Sequence, residues 1–168
     1  MQDLLSICER DNVLVFWRHL DPDGKLLGMY FRSPGGRPII VLDESLTHRT
    51  RLARCVLAEE LAHYWTAPTA DHLNHDDPLN KQAIWKDESR AGRLAANLLI
   101  PTTHLAAAVK RGLFSAHELA DEFNVEEWMI WRKFHILRQD LREQHKLRES
   151  IGDLLPPVLV DVLWGYAV

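Results

Sequence analysis

Two kinds of hydrophobic pattern divide the chain near Asp43. Ahead of it stand three short β-prone runs, 13–17 (VLVFW), 26–32 (LLGMYFR) and 37–43 (RPIIVLD). The segment DPDGK has the Pro and Asp-Gly chemistry of a turn and predicts a hairpin between the first two runs. The Gly-rich SPGGR leads into the third, which completes a three-stranded antiparallel sheet. Beyond Asp43 the apolar positions recur at helical spacing. Ser45 or Thr47 can serve as N-cap for a helix running from 52 to about 65, and a second helix is expected from about 81 to 99, stopping ahead of Pro101. Segments 103–110, 115–123 and 126–144 predict three more helices, broken at Gly112 and around Asn124. Strands first and helices after give an α+β fold class.

The helix containing CVLAEELAHYW is apolar nearly all round except for Glu59, Glu60 and His63. A helix of that character is expected to be buried, and a buried carboxylate without a partner costs several kcal/mol or takes up a proton. Glu59 and His63 are four apart and share a face, whereas Glu60 lies about 100° round from Glu59. The second helix repeats the anomaly, because its apolar stripe runs Ile84, Glu88, Ala91, Ala95, Leu98. Glu59, His63 and Glu88 brought together would suit one divalent cation, with three protein ligands leaving a fourth position open. Glu60, turned aside from them, would be the general base. Were Glu59 a histidine, Glu60 to His63 would complete H-E-x-x-H. Two carboxylates among three ligands cancel the charge of the cation and make its Lewis acidity weaker than in a His-His-Glu set, which favours zinc less and a harder ion such as manganese more. The plain alternative is an i, i+4 pair of Glu59 and His63 held by Arg51 or Arg54.

Composition narrows the remaining classes. At 168 residues and 46% hydrophobic the chain is long enough for one compact core, and its 20 basic against 24 acidic residues give a formal charge of -4. That balance supplies no footprint for nucleic acid or an anionic membrane. Cys8 and Cys55 form no C-x-x-C pair, and the N-terminus lacks the basic and apolar regions of a secretory signal, so a cytoplasmic location is expected. The longest apolar stretch, PPVLVDVLWGYAV, is interrupted by Asp161 and far shorter than the roughly 20 residues of a spanning helix.

RCVLAEELAHYWT, followed 25 residues after His63 by Glu88 in DESRAGRLAANLLIP, resembles the ImmA/IrrE family of bacterial and phage metallo-endopeptidases. The similarity spans roughly residues 10–140, and EExxH in place of HExxH resembles a phage-like subgroup. It implies a zincin-like core over 1–101, in which the sheet packs on a motif helix and a ligand helix. A helix-turn-helix-like region at 102–145 and an apolar tail at 146–168, packed on the same domain, would follow. It further implies metal ligands at Glu59, His63 and Glu88, the catalytic base at Glu60, zinc as cofactor, and a helix-turn-helix repressor of a prophage or mobile element as protein substrate. The chain departs from the family pattern at Glu59 and at Ala62, where a glycine is usual.

Several features stay open between two readings. His72 and His75, with Asp71, Asp76 and Asp77, lie in the loop TAPTADHLNHDDPLN. They read first as a solvated loop, and second as a further metal cluster or an oxyanion donor. SAHELADEFNVEEWMIWRKF has the cadence of a helix-turn-helix, but Glu126 and Glu127 would turn negative charge toward phosphates. It therefore reads as a structural helix pair or protein-docking surface, with Trp128 and Trp131 in the core or, if exposed, as partner anchors. The leading function is a metal-dependent endopeptidase. The alternative is a peptidase-like module that binds a repressor without cutting it, as an antirepressor. A DNA-binding regulator using Arg132 and Lys133 comes last.

Overall fold

The computed structural model describes residues 1–66 and 78–151, the side chains of 78–85 apart. Within these it has an α+β architecture, in the order α1 (Gln2–Arg10), β1 (Leu14–Arg18), β2 (Gly28–Arg32), β3 (Pro38–Asp43), a 3-10 turn (Glu44–His48), α2 (Thr50–Thr66), α3 (Pro78–Leu99), α4 (Thr102–Lys110), α5 (Ala116–Phe123), α6 (Glu127–Gln139) and α7 (Leu141–Ile151). The chain divides into two compact units, Met1–Ala95 and Ala96–Val168.

In the first unit the sheet order is β1-β3-β2. β2 and β3 are antiparallel, with Gly28 opposite Leu42 and Tyr30 opposite Ile40, but β1 runs parallel to β3, with Val15 opposite Ile40. This corrects the expected β1–β2 hairpin and the all-antiparallel sheet. DPDG does turn the chain, with Gly24 at φ +66°, but the turn belongs to a longer connection that carries the chain across β3. Asp21 organises that connection by accepting from the N–H groups of Asp23, Lys25 and Leu26. Buried Asp43 clamps its start by accepting from Leu20 N at 2.8 Å.

Asp43 also caps the 3-10 turn through Ser45 N; Ser45 and Thr47, the expected N-caps of the motif helix, lie within this turn, and α2 starts after it at Thr50. α2 then packs against β2 and β3. It buries Leu52, Ala53, Cys55, Val56, Leu57, Ala58, Leu61 and Ala62, close to the all-round burial its sequence implies. Leu57 and Leu61, like Ile40 and Leu42 of β3, are completely buried, each contributing roughly 1.5–3 kcal/mol. α1 joins this unit through buried Leu4 and Cys8, one helical turn apart, and Arg54 of α2 donates to Asp3. That bond takes up one of the two arginines available to hold Glu59 and His63.

In the second unit Ser115 and Glu118 form a capping box at the start of α5, and Asn124 ends the helix in the left-handed conformation (φ 51°). The helix expected over 126–144 is two helices. Asp140 leaves helical geometry (φ -110°, ψ 101°), and its carboxylate accepts from Arg142 N and Glu143 N to start α7. Lys133 is completely buried on the apolar stripe of α6. Its Nζ donates to Asn97 Oδ1 at 2.6 Å and Thr102 Oγ1 at 2.7 Å, and reaches Glu143 Oε2 at 3.4 Å. Burial brings the Lys133 ammonium down to about 8, against the opposing charge of Glu143. It has no path to a phosphate. Trp128 and Trp131 are 37% and 50% exposed, not core, and Arg132 stacks over the Trp128 ring at 5.0 Å. The tail 152–168 lies outside the described residues.

Candidate metal and proton-transfer site

Helix α2 presents two neighbouring stripes at the level of β2. Val56 and Glu60, four apart, face the edge strand, and Glu59 and His63 form the adjacent stripe. All three polar residues are half-buried.

His63 is met by Glu88 of α3, with Nε2 to Oε2 at 3.6 Å. The side chain of Glu88 is 63% exposed. This corrects the expectation that it projects from a buried stripe; among the described side chains of α3, from position 86 on, burial begins at Ala91 and continues at Ala95. The adjoining Glu88 carboxylate raises the His63 pKa, against the effect of burial. Protons therefore compete for the imidazole nitrogen that would ligate a metal.

Glu60 is the most perturbed carboxyl of the site. Burial pushes it up to about 7, Glu59 and Glu88 add to the rise, and His63 and the backbone N–H of Tyr30 oppose it. Such a group is half ionised near neutrality, where a base that must take and later return a proton works best.

Of the four expected site residues, the structure brings His63 and Glu88 together and sets Glu60 beside them against β2. Among the described residues no group of three or more His, Cys, Asp or Glu side chains is gathered as a metal site, so Glu59 does not close a triad here. The pair nevertheless fits a cation. Two ligands at about 2.0–2.1 Å from one tetrahedral ion stand roughly 3.3 Å apart, close to the observed 3.6 Å, and they combine an imidazole nitrogen with a carboxylate oxygen. His72, His75, Asp71, Asp76 and Asp77 lie outside the described residues. Sequence reasoning missed the contribution of β2. A glycine interrupting the run LLGMYF was the available signal, since glycine inside a strand often marks a close approach.

An α+β core with Glu60 and His63 on one helix and Glu88 on the next carries the residues of a metallopeptidase-like module. The chain belongs to the family of the IrrE N-terminal-like domain, Peptidase_M78, whose model matches residues 8–135. No curated protein and no solved structure matches it. Among the described residues no helix is long and apolar enough to cross a membrane.

Proposed function

We propose that the protein is a cytoplasmic metal-dependent endopeptidase that cuts a protein substrate, a helix-turn-helix repressor of a prophage or mobile element. The observation that carries this reading is Glu60, a carboxyl raised to about 7 within the same cluster as the His63–Glu88 pair. His63 and Glu88 would hold the cation, with Glu59, one turn before His63, as the third ligand. Zinc suits this set, and the two carboxylates leave room for manganese. A divalent cation bound there supplies Lewis-acid polarisation of the scissile carbonyl. Glu60 does the proton work, its carboxylate taking a proton from the attacking water and returning it to the departing amine. The exposed side of Glu88 leaves the pair open to an incoming chain.

The test is metal analysis together with cleavage of a co-encoded repressor by wild type and Glu60→Gln. Cleavage by wild type and its loss, on the order of 100-fold or more, in Glu60→Gln is the expected result. Equal cleavage by both proteins removes Glu60 from the mechanism. A stable complex without products from either protein supports the antirepressor instead.

A further inference from the structure

Gly28 differs in kind from the glycines that turn the chain. Gly24, Gly36 and Gly112 have positive φ and nothing within 4 Å of an added Cβ. Gly28 is buried in the edge strand β2, outside the positive-φ set, so its backbone demands no glycine. What it lacks is room. A Cβ there would stand 2.4 Å from Val56 Cγ1, 2.9 Å from Glu60 Oε1 and 3.0 Å from Glu60 Cγ. The Glu60 carboxylate thus lies in space that any other residue at this position would fill.

The strand supplies a reason for the carboxylate to be there. Asp43 N donates to Leu27 O and Ser33 N to Arg37 O, so the odd-numbered residues of β2 bond to β3. Tyr30, at an even position, turns its N–H to the free edge, where it favours the charged form of the Glu60 carboxylate. Glu60 is a flexible side chain on a helix, and two features of β2 fix it: a bare α-carbon at Gly28 and an edge amide at Tyr30.

From this juxtaposition we infer that Gly28 is a positioning residue for Glu60, holding open the seat from which the carboxylate reaches the Tyr30 amide and faces the reacting water. This rests on the peptidase reading for its catalytic meaning, but the contact itself is independent of it. Misplacing a reacting group by about 1 Å can cost on the order of 100-fold in rate, and a methyl at position 28, 2.9 Å from Oε1, forces the carboxylate part of that distance.

The experiment uses the full chain in a Val56→Ala background, which clears the harsher of the two clashes and keeps Gly28→Ala foldable. Thermal midpoints of the metal-free protein are compared for Gly28→Ala with Glu60 present and with Glu60→Ala. Coupling is expected, with Gly28→Ala lowering the midpoint clearly when Glu60 is present and hardly at all when it is absent. Equal losses in both backgrounds overturn the inference. In the cleavage assay Gly28→Ala in the same background should lower kcat about tenfold with KM within about threefold and metal content unchanged. An unchanged kcat also overturns it. If the parent protein cuts nothing, the peptidase reading falls and the thermal coupling still decides whether Gly28 seats Glu60.

Discussion

Glu60 shows what a half-buried carboxylate does to the protein that carries it. Its ordinary value of 4.5 is pushed up to about 7, so between those values the folded chain keeps a proton that the unfolded chain has released. Stability from this group therefore falls as pH rises through that window, and the full penalty, at most about 3 kcal/mol, is present above it. Glu60→Gln removes the charge and keeps the shape. In thermal melts with chelator present, the variant should melt above wild type at pH 8 and level with it near pH 4; equal midpoints at pH 8 would contradict the raised value. The same substitution is expected to abolish cleavage, as when a site holds a strained group for function. Glu60 and His63 were legible in the sequence because they interrupt an apolar helix. Lys133 obeys the same rule, lying three and four residues from Ile130, Met129 and Leu137 on the buried face of α6, but beside Arg132 it passed for a surface cation. The exposure of Glu88 was not legible, since periodicity gives the face of a helix and not how far along it the neighbouring chain extends.

Elements were legible where local chemistry decides them and obscure where pairing partners do. The motif helix, the stop at Pro101 and the α5–turn–α6 unit follow from caps and breakers within a few residues. The sheet does not, because turn residues specify that the chain bends, not which strand it meets next. β1 passes over its sequence neighbour to pair in parallel with β3. α1 carried only two buried apolar residues, Leu4 and Cys8, too few to stand out, and the α6–α7 break rests on a single aspartate at position 140. Asn124 offers the sharpest test at this scale, since its left-handed backbone both ends α5 and aims α6. Asn124→Gly should leave stability within about 0.5 kcal/mol in urea titrations, whereas Asn124→Val should cost roughly 1–2 kcal/mol. Equal losses from both would mean that the side chain of Asn124, not its backbone, makes the turn.

At the scale of the molecule the division between the two units falls within α3, between Ala95 and Ala96, where no Pro- or Gly-rich linker marks it. Each unit has its own electrostatic knot. In the second, Lys133 ties Asn97, Thr102 and Glu143, from α3, α4 and α7, to α6. The Thr102 hydroxyl also bonds Glu143, which keeps Lys146 as a second cation at 2.7 Å. Lys133→Met fills the volume but leaves Asn97 and Thr102 without their donor, an expected loss on the order of 2 kcal/mol; Lys133→Ala adds a cavity and should cost on the order of 4 kcal/mol. In the first unit the cluster is the His63–Glu88 pair with Glu60 beside it. Glu88, Glu60 and Glu59 all act electrostatically on His63, and a divalent ion, if bound there, would relieve the repulsion among the carboxylates. Saturating zinc or manganese at about 100 times the dissociation constant adds roughly 3 kcal/mol to a state that binds it. Hydrogen exchange should place the added protection in α2 and β2, the elements that hold His63, Glu60 and the Tyr30 amide. Because His63 must lose its proton to bind, that gain should shrink as the pH is lowered below neutrality and vanish in His63→Ala. Undiminished protection in His63→Ala would move the metal to other ligands.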